Sequence, residues 1–241
     1  MFLNIILPVY NEERRIEKGV TGAIEFLESI AFSDYRITIE DNASIDRTQE
    51  IAKCLCEKYS QLSYEYVATK GVGAAFRAGV ASNDCDVVGY MDIDLSTDVT
   101  HLGDVIRIMQ NNSDVCVVNA SRWSKQSDTV GRKWYRNLSS YGLTFLLKTI
   151  LKMKASDSIC GFKFFRKETV EQLMEESYKE NGWFYMIELL LRAERKEYTV
   201  YELPVRWKDD YDSKVDVIKV ILNYIENILR IRKTFKEEGI L

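Results

Sequence analysis

Asp86–Ser96 reads DVVGYMDIDLS. The small and apolar run Val87–Met91 is too short for a helix and breaks off at a carboxylate. That describes a buried strand delivering Asp92 to the end of a sheet. Asp94 follows two residues later, and in extended chain residues i and i+2 point to one side. The two carboxylates are therefore expected to share one hard divalent cation, Mg²⁺ or Mn²⁺, which takes oxygen ligands and leaves positions open for phosphate. The competing reading is a solvated acidic turn, against which stand the apolar run before it and Ser96-Thr97-Asp98 behind it.

Working outward, the same unit repeats. Phe2–Pro8, Tyr35–Glu40 and Ser63–Val67 read as strands. Helices are expected over Glu13–Ser29, from a Ser44 cap to about Tyr59, over Gly73–Ser82 and over His101–Gln110, before a strand at Val115–Asn119. Strands alternating with helices predict an α/β fold with a mostly parallel, Rossmann-like sheet. Ligands of such sheets sit at the carboxyl ends of the strands, so Asn11-Glu12, Asp41-Asn42, Lys70-Gly71 and Asp92/Asp94 should meet in one crevice. The second half predicts helices at Trp134–Leu151, Lys167–Ser177, Phe184–Arg195 and Val215–Lys233. Ile159–Arg166 reads as a strand or turn and Tyr198–Trp207 as a strand. No repeat, linker or low-complexity tract interrupts the chain, which reads as one domain over 1–241, with halves 1–119 and 120–241.

Composition narrows the chemistry. The 241 residues carry a net charge of −4, which argues against nucleic acid as partner. The only histidine is His101, so neither a multi-histidine metal site nor a series of histidine bases is available. It is expected exposed at a helix start. The five cysteines show no C-x-x-C spacing and read as reduced, mostly buried thiols. No signal peptide and no apolar run of spanning length is seen, so a cytoplasmic location is expected.

Three further segments carry candidate chemistry. Asp41 ends a strand where a carboxylate can accept hydrogen bonds from a base or ribose. Lys70–Gly79, KGVGAAFRAG, is a glycine-rich turn opening a helix, suited to close approach of a ligand to backbone amides or, equally, to tight helix packing. It is neither G-x-G-x-x-G nor a Walker loop. Finally, Ala120–Lys154 holds eight basic residues against the single acid Asp128, a local +7 within a chain of −4.

Together these pieces resemble the family 2 glycosyltransferases over nearly the whole chain. ILPVYNE (6–12), DNASIDRT (41–48), KGVGAAFRAG (70–79) and MDIDLS (91–96) are similar to that family's successive motifs, in the family's order. ASRW (120–123), Arg136 with Ser140, DSICGFK (157–163), GWF (182–184) and ELPVRW (202–207) with Asp212–Val215 are similar to the polyprenyl-phosphate sugar synthases, among them the dolichyl-phosphate mannose and glucose synthases. The resemblance implies a GT-A fold and a nucleotide-diphosphate sugar, a UDP- or GDP-hexose, bound with Mg²⁺ or Mn²⁺. Asp94 would be the main metal contact and Asp92 a metal or ribose contact. Pro8, Tyr10, Glu12, Asp41, Lys70, Gly71 and Arg77 would frame the donor. The acceptor would be a polyprenyl monophosphate, met by Arg122, Arg136, Ser140, Asp157, Lys163, Lys208 and Lys214, with inversion at the anomeric carbon.

Physical chemistry is consistent with that acceptor. A phosphate monoester is ionised near neutral pH and needs no strong base, which suits a chain with one histidine. Arg122 and Arg136 are the residues expected to orient it. Asp157 is read either as the partner of an arginine or as a sugar contact, and Glu188 as a buried partner of Lys163 or Arg166. The basic stretch with its apolar helix, and the amphipathic Val215–Lys233, suit an anionic membrane surface on the cytoplasmic side. Packing onto the core with a solvated basic face is open for the first, and packing onto the sheet or against a second copy of the chain for the second. Two rivals are a transferase acting on a saccharide hydroxyl, which needs a free carboxylate base in Asp157 or Glu188, and a non-catalytic nucleotide-sugar-binding module.

Overall fold

The computed structural model describes residues 1–82, 84–131, 134–209 and 217–241, with backbone alone at 134–139 and 217–219. In chain order the elements are β1 (Leu3–Val9), α1 (Ile16–Ser29), β2 (Tyr35–Asp41), α2 (Thr48–Lys58), β3 (Leu62–Tyr66), α3 (Val72–Ala81), β4 (Val87–Met91), α4 (His101–Asn111) and β5 (Val115–Ser121). They continue with β6 (Asp128–Val130), α5 (Trp134–Leu151), β7 (Phe162–Arg166), α6 (Lys167–Glu176), α7 (Phe184–Arg195), β8 (Thr199–Pro204), β9 (Arg206–Lys208) and α8 (Val217–Glu237).

Among the described residues one sheet runs in the order β3-β2-β1-β4-β7-β5-β8. β1, β2, β3 and β4 are mutually parallel, as are β5 and β8, while β7 runs antiparallel to both of its neighbours. The expected mostly parallel α/β sheet is therefore present with one reversed strand. β1 is apolar on both faces because both faces are covered: Leu3, Ile5 and Leu7 join α1 and α4 on one side, and Ile6 joins α3 and α7 on the other. Each fully buried aliphatic or aromatic side chain in these layers stabilises the fold by about 1.5–3 kcal/mol.

Three expectations need correction. The segment 198–207 is not one strand: it divides into β8 and β9, and β9 leaves the main sheet to pair with β6, which the sequence did not predict. Ser44 does not cap α2. The helix begins at Thr48, whose N–H donates to Asp46 Oδ1 (3.0 Å), while Ser44 Oγ accepts the Asn11 N–H (2.9 Å). Of the cysteines, only Cys85 and Cys160 are buried; Cys56 and Cys116 are half-buried, Cys54 is exposed, and all five are free.

Candidate active site

One side of the crevice is assembled by turns at the carboxyl ends of β1, β2 and β3. Asn11, at φ +56°, ties the first two turns together: its amide donates to Ser44 and its Oδ1 accepts the Ile45 N–H at 2.9 Å. Asp41 is fully buried, with Oδ1 accepting the Ser44 N–H (2.8 Å) and Oδ2 the Tyr64 hydroxyl (2.9 Å). Burial first, and then that hydrogen bond, push the Tyr64 phenol up to about 12. Asn42 Oδ1 receives the Gly71 N–H at 3.3 Å, and the Lys70 ammonium lies 3.5 Å from the centre of the Tyr10 ring. Pro8 and Tyr10 are half-buried, and the Glu12 carboxylate is paired with Arg15 at 2.6 Å.

The glycine-rich turn serves packing rather than ligand approach. Gly71 has φ +135°, and a Cβ there would lie 2.0 Å from the Asn181 carbonyl oxygen. That oxygen accepts the N–H groups of Gly73 and Ala74, so these first amides of α3 point at the chain itself and not at a phosphate. Arg77, expected on the donor, instead donates to Glu180 O (2.6 Å) and Asn181 Oδ1 (2.5 Å) and stacks on Tyr185. The loop 178–183 thereby forms a wall of the crevice.

Asp92 and Asp94 lie in the turn after β4, not within the strand, because the ladder ends at Met91. The turn, rather than the pleat, brings them together. Asp94 Oδ1 accepts the Ser96 N–H at 2.8 Å, and the Asp92 amide donates to Gly161 O at 3.0 Å. Burial, then the charge of Asp94, push the Asp92 carboxyl up to about 8, with Lys163 and Arg122 opposing. A Cβ on Gly161 would fall 1.9 Å from Asp92 Oδ2, so glycine is what leaves room for that carboxylate. Two crowded carboxylates in such a cradle fit a divalent cation. No group of three or more His, Cys, Asp or Glu among the described residues could hold one, so Asp92 and Asp94 would leave coordination positions to water or phosphate.

Beside the carboxylates lies a buried charge cluster. Arg122 donates to Asp157 through Nε (2.6 Å), Nη2 (2.9 Å) and its own amide (3.1 Å), and its guanidinium lies 5.5 Å from the Trp207 ring. Burial pushes the Asp157 carboxyl up, but Arg122 outweighs it and holds the group at about 2. Of the two readings of Asp157, the structure shows the arginine partner. Lys163 is fully buried, its ammonium donating to Cys160 O at 2.5 Å, and burial lowers its pKa. It was expected on the acceptor; it lies beneath the site instead. Ser140 is buried, and Trp123 meets Tyr141 of α5 at 4.6 Å between ring centres. Lys208 is exposed, and its amide, donating to Ser96 O (2.8 Å), fixes it beside the Asp92–Ser96 turn. The Arg136 side chain and Lys214 lie outside the described residues.

The family model "Glycosyl transferase family 2" matches residues 4–174. This chain belongs to glycosyltransferase family 2. It is 32% identical over 231 residues to glycosyltransferase AglD of Haloferax volcanii, covering 95% of this chain but only 36% of that protein. It is 26% identical over 257 residues to the dolichyl-phosphate beta-glucosyltransferase of Homo sapiens, covering 97% of this chain and 79% of that one. Among solved structures, the glucosyl-3-phosphoglycerate synthase of Mycobacterium tuberculosis bound to phosphoglyceric acid superposes with a TM-score of 0.72 at 15% identity, over 96% of this chain and 79% of that one. The same enzyme with Mn²⁺, UDP and glucosyl-3-phosphoglycerate gives 0.71 at 14% identity, over 96% and 79%. The fold is that of a GT-A glycosyltransferase.

Two remaining expectations change in this family 2 enzyme. His101 is buried, not exposed: Nε2 accepts the Arg206 N–H (2.9 Å), which leaves Nδ1 to donate to Asp104 (2.9 Å). Glu188 is a buried ion-pair partner, but of Arg192 (3.2 Å) and Arg230 (2.8 Å) rather than Lys163 or Arg166. Arg166 instead donates to the carbonyls of Val115, Met109 and Asn112. The sequence reading quoted Gly161 and 182–183 only within matched motifs and gave neither a role in the site. The glycine after Cys160 was visible, but its role depends on a contact with Asp92, 69 positions away.

Proposed function

We propose that the chain transfers a hexose, with glucose the first candidate, from a nucleotide diphosphate to a polyprenyl monophosphate in the presence of Mg²⁺ or Mn²⁺. The observation that carries this reading is the buried Arg122–Asp157 ion pair set beside the Asp92/Asp94 carboxylates, with Lys163 beneath them. The names of the relatives and the UDP complexes of the neighbouring synthase support the donor and acceptor classes.

On this reading Asp92 and Asp94 would hold the metal, which when bound supplies charge neutralisation to the leaving diphosphate. Asp41, Tyr10 and Lys70 frame the nucleoside side. An anionic phosphate oxygen of the acceptor forms the new bond to the anomeric carbon from the face opposite the leaving group. The old carbon–oxygen bond breaks with its electron pair going to the nucleoside diphosphate, and the configuration inverts. The attacking oxygen is already deprotonated, so no base is required. Arg122 is held by Asp157 as a fixed charge, and preorganised charge needs no reorganisation during reaction. A saccharide hydroxyl would need a carboxylate base, and both carboxylates considered for that task, Asp157 and Glu188, are tied into ion pairs.

The test is to incubate the protein with UDP-glucose or GDP-mannose, Mg²⁺ or Mn²⁺, and a prenyl phosphate, and to identify the product by mass. A hexosyl-phosphoprenol supports the reading. Transfer to saccharides with none to prenyl phosphate overturns it.

A further inference from the structure

His101 is the single histidine of the chain, and the transfer reaction makes no use of its charge. Its ring lies between α4 and β9, and 9% of the residue is exposed. Nε2 accepts the Arg206 N–H at 2.9 Å, and Nδ1 donates to Asp104 Oδ2 at 2.9 Å. Only a neutral imidazole offers an acceptor nitrogen, because both nitrogens of an imidazolium are donors. The hold on Arg206 therefore exists only while His101 is uncharged.

The strand that this contact holds reaches both halves of the site. The Arg206 carbonyl accepts the Asp98 N–H (3.0 Å), Trp207 pairs with Thr97 in an antiparallel bridge, and the Lys208 N–H donates to Ser96 O (2.8 Å). β9 thus lies along residues 96–98, the arm that leads away from Asp94. On its other side Trp207 lies 5.5 Å from the Arg122 guanidinium. β9 is three residues long and pairs with β6, which is equally short, so few bonds fix it and one lost at its first residue counts.

We propose that His101 is a positioning residue for transfer: its neutral ring pins β9 against the Asp94 turn and Arg122, and protonation at Nε2 releases the strand. The inference rests on the transferase reading and adds to it a residue and a pH dependence. The charged groups facing the ring are Asp104 of α4, with Arg107 on its far side, Asp98 of the preceding turn, and Arg206 of β9, whose guanidinium is paired with Asp98 at 3.0 Å. Both aspartates are held below the usual carboxylate range. Burial raises each, but hydrogen bonds outweigh it, from Thr100 to Asp98 and from Arg107 and His101 to Asp104. They are anionic where an imidazole ordinarily titrates, so the ring gains its proton beside two anions. The new Nε2–H then faces the Arg206 N–H, and two donors cannot keep a hydrogen-bond distance. Positioning is complete above the titration of the ring and is lost below it.

The test follows structure and turnover together in protein without added histidines. A single histidine gives one imidazole C2–H resonance, so NMR reads its titration directly. Exchange of the Arg206 amide should quicken at least ~10-fold through the same midpoint. Transfer from UDP-glucose to a prenyl phosphate is measured as kcat and KM between pH ~5 and ~8, in wild type and in His101→Gln. The glutamine carries an amide oxygen that can accept the Arg206 N–H and gains no proton. The ratio of the two enzymes cancels ionisation of the acceptor phosphate and of groups elsewhere in the site. At pH ~8 they should agree within about 3-fold, and kcat of wild type should fall at least ~10-fold below that of the variant as His101 protonates, with KM for UDP-glucose changing less. His101→Leu, with no acceptor at any pH, should keep its circular dichroism and show the low kcat throughout. A wild-type to glutamine ratio independent of pH, or an Arg206 amide indifferent to the ring, overturns the proposal. An Arg206 amide that follows the ring, in a protein that transfers nothing to prenyl phosphate, supports the hold on β9 while overturning the acceptor reading.

Discussion

Replacing Asp157 with asparagine tests the architecture of the site at the point where most of it converges. The carboxylate receives the Arg122 guanidinium at 2.6 and 2.9 Å, together with the amides of Arg122 (3.1 Å), Ile159 (3.1 Å) and Cys160 (3.3 Å). The asparagine keeps the shape but removes the charge, leaving a buried guanidinium facing an amide. Removing one partner of a buried pair costs about 3–5 kcal/mol. The titration gives a second figure. Asp157 is held at about 2 against an ordinary 3.8, which corresponds to about 2 kcal/mol of stability. Because the folded value is depressed, this contribution is present above pH ~4 and is lost as pH falls toward 2. Urea denaturation of both proteins at neutral pH should show a loss of about 3 kcal/mol in the variant, and melting should fall by roughly 6–12 °C. Between pH 4 and 2 the wild type should lose about 2 kcal/mol that the variant no longer has to lose. A variant within about 0.5 kcal/mol of wild type, or one with an unchanged acid slope, would refute the account of the cluster.

Two other outcomes follow from the same geometry. Glu40 is fully buried with neither carboxyl oxygen hydrogen-bonded, and burial followed by Glu65 pushes it up to about 8. Its raised value means that stability declines as pH rises from about 4.5 to 8, so Glu40→Gln should stabilise the protein by about 3 kcal/mol at pH 7 and flatten that decline, as read by urea denaturation across pH. Gly161→Ala should displace the Asp92 carboxylate and cut kcat at least ~100-fold while leaving urea stability within about 2 kcal/mol of wild type; unchanged turnover would contradict the cradle.

The parallel half of the sheet was legible because β1 and β4 are short, mainly apolar runs and β2 alternates β-branched residues, each ended by a polar turn, and those patterns are local. The reversal of β7 was not, since an apolar strand buried between two neighbours carries no local mark of its direction. The crevice was legible for Asp41, Asp92 and Asp94, each at a strand end. Arg77 and Gly71 were assigned to a ligand, and the turn around Gly73 left open between ligand and packing, because their partners, Glu180 and Asn181, lie more than a hundred residues away. His101 and Glu188 were displaced from their expected settings for the same reason: Arg206 and Arg230, which hold them, come from the far end of the chain.

The central claim is that Asp92 and Asp94 carry a metal-dependent transfer of hexose to a prenyl phosphate. Its most direct test is the rate of glucosyl transfer from UDP-glucose to a prenyl phosphate after treatment with EDTA, on adding back Mg²⁺ or Mn²⁺, in wild type and in Asp94→Ala. The account predicts loss with EDTA, recovery with either cation in the wild type, and at least ~100-fold less turnover in a folded Asp94→Ala at every cation concentration. Full turnover in EDTA, or an Asp94→Ala variant as fast as wild type, would contradict it.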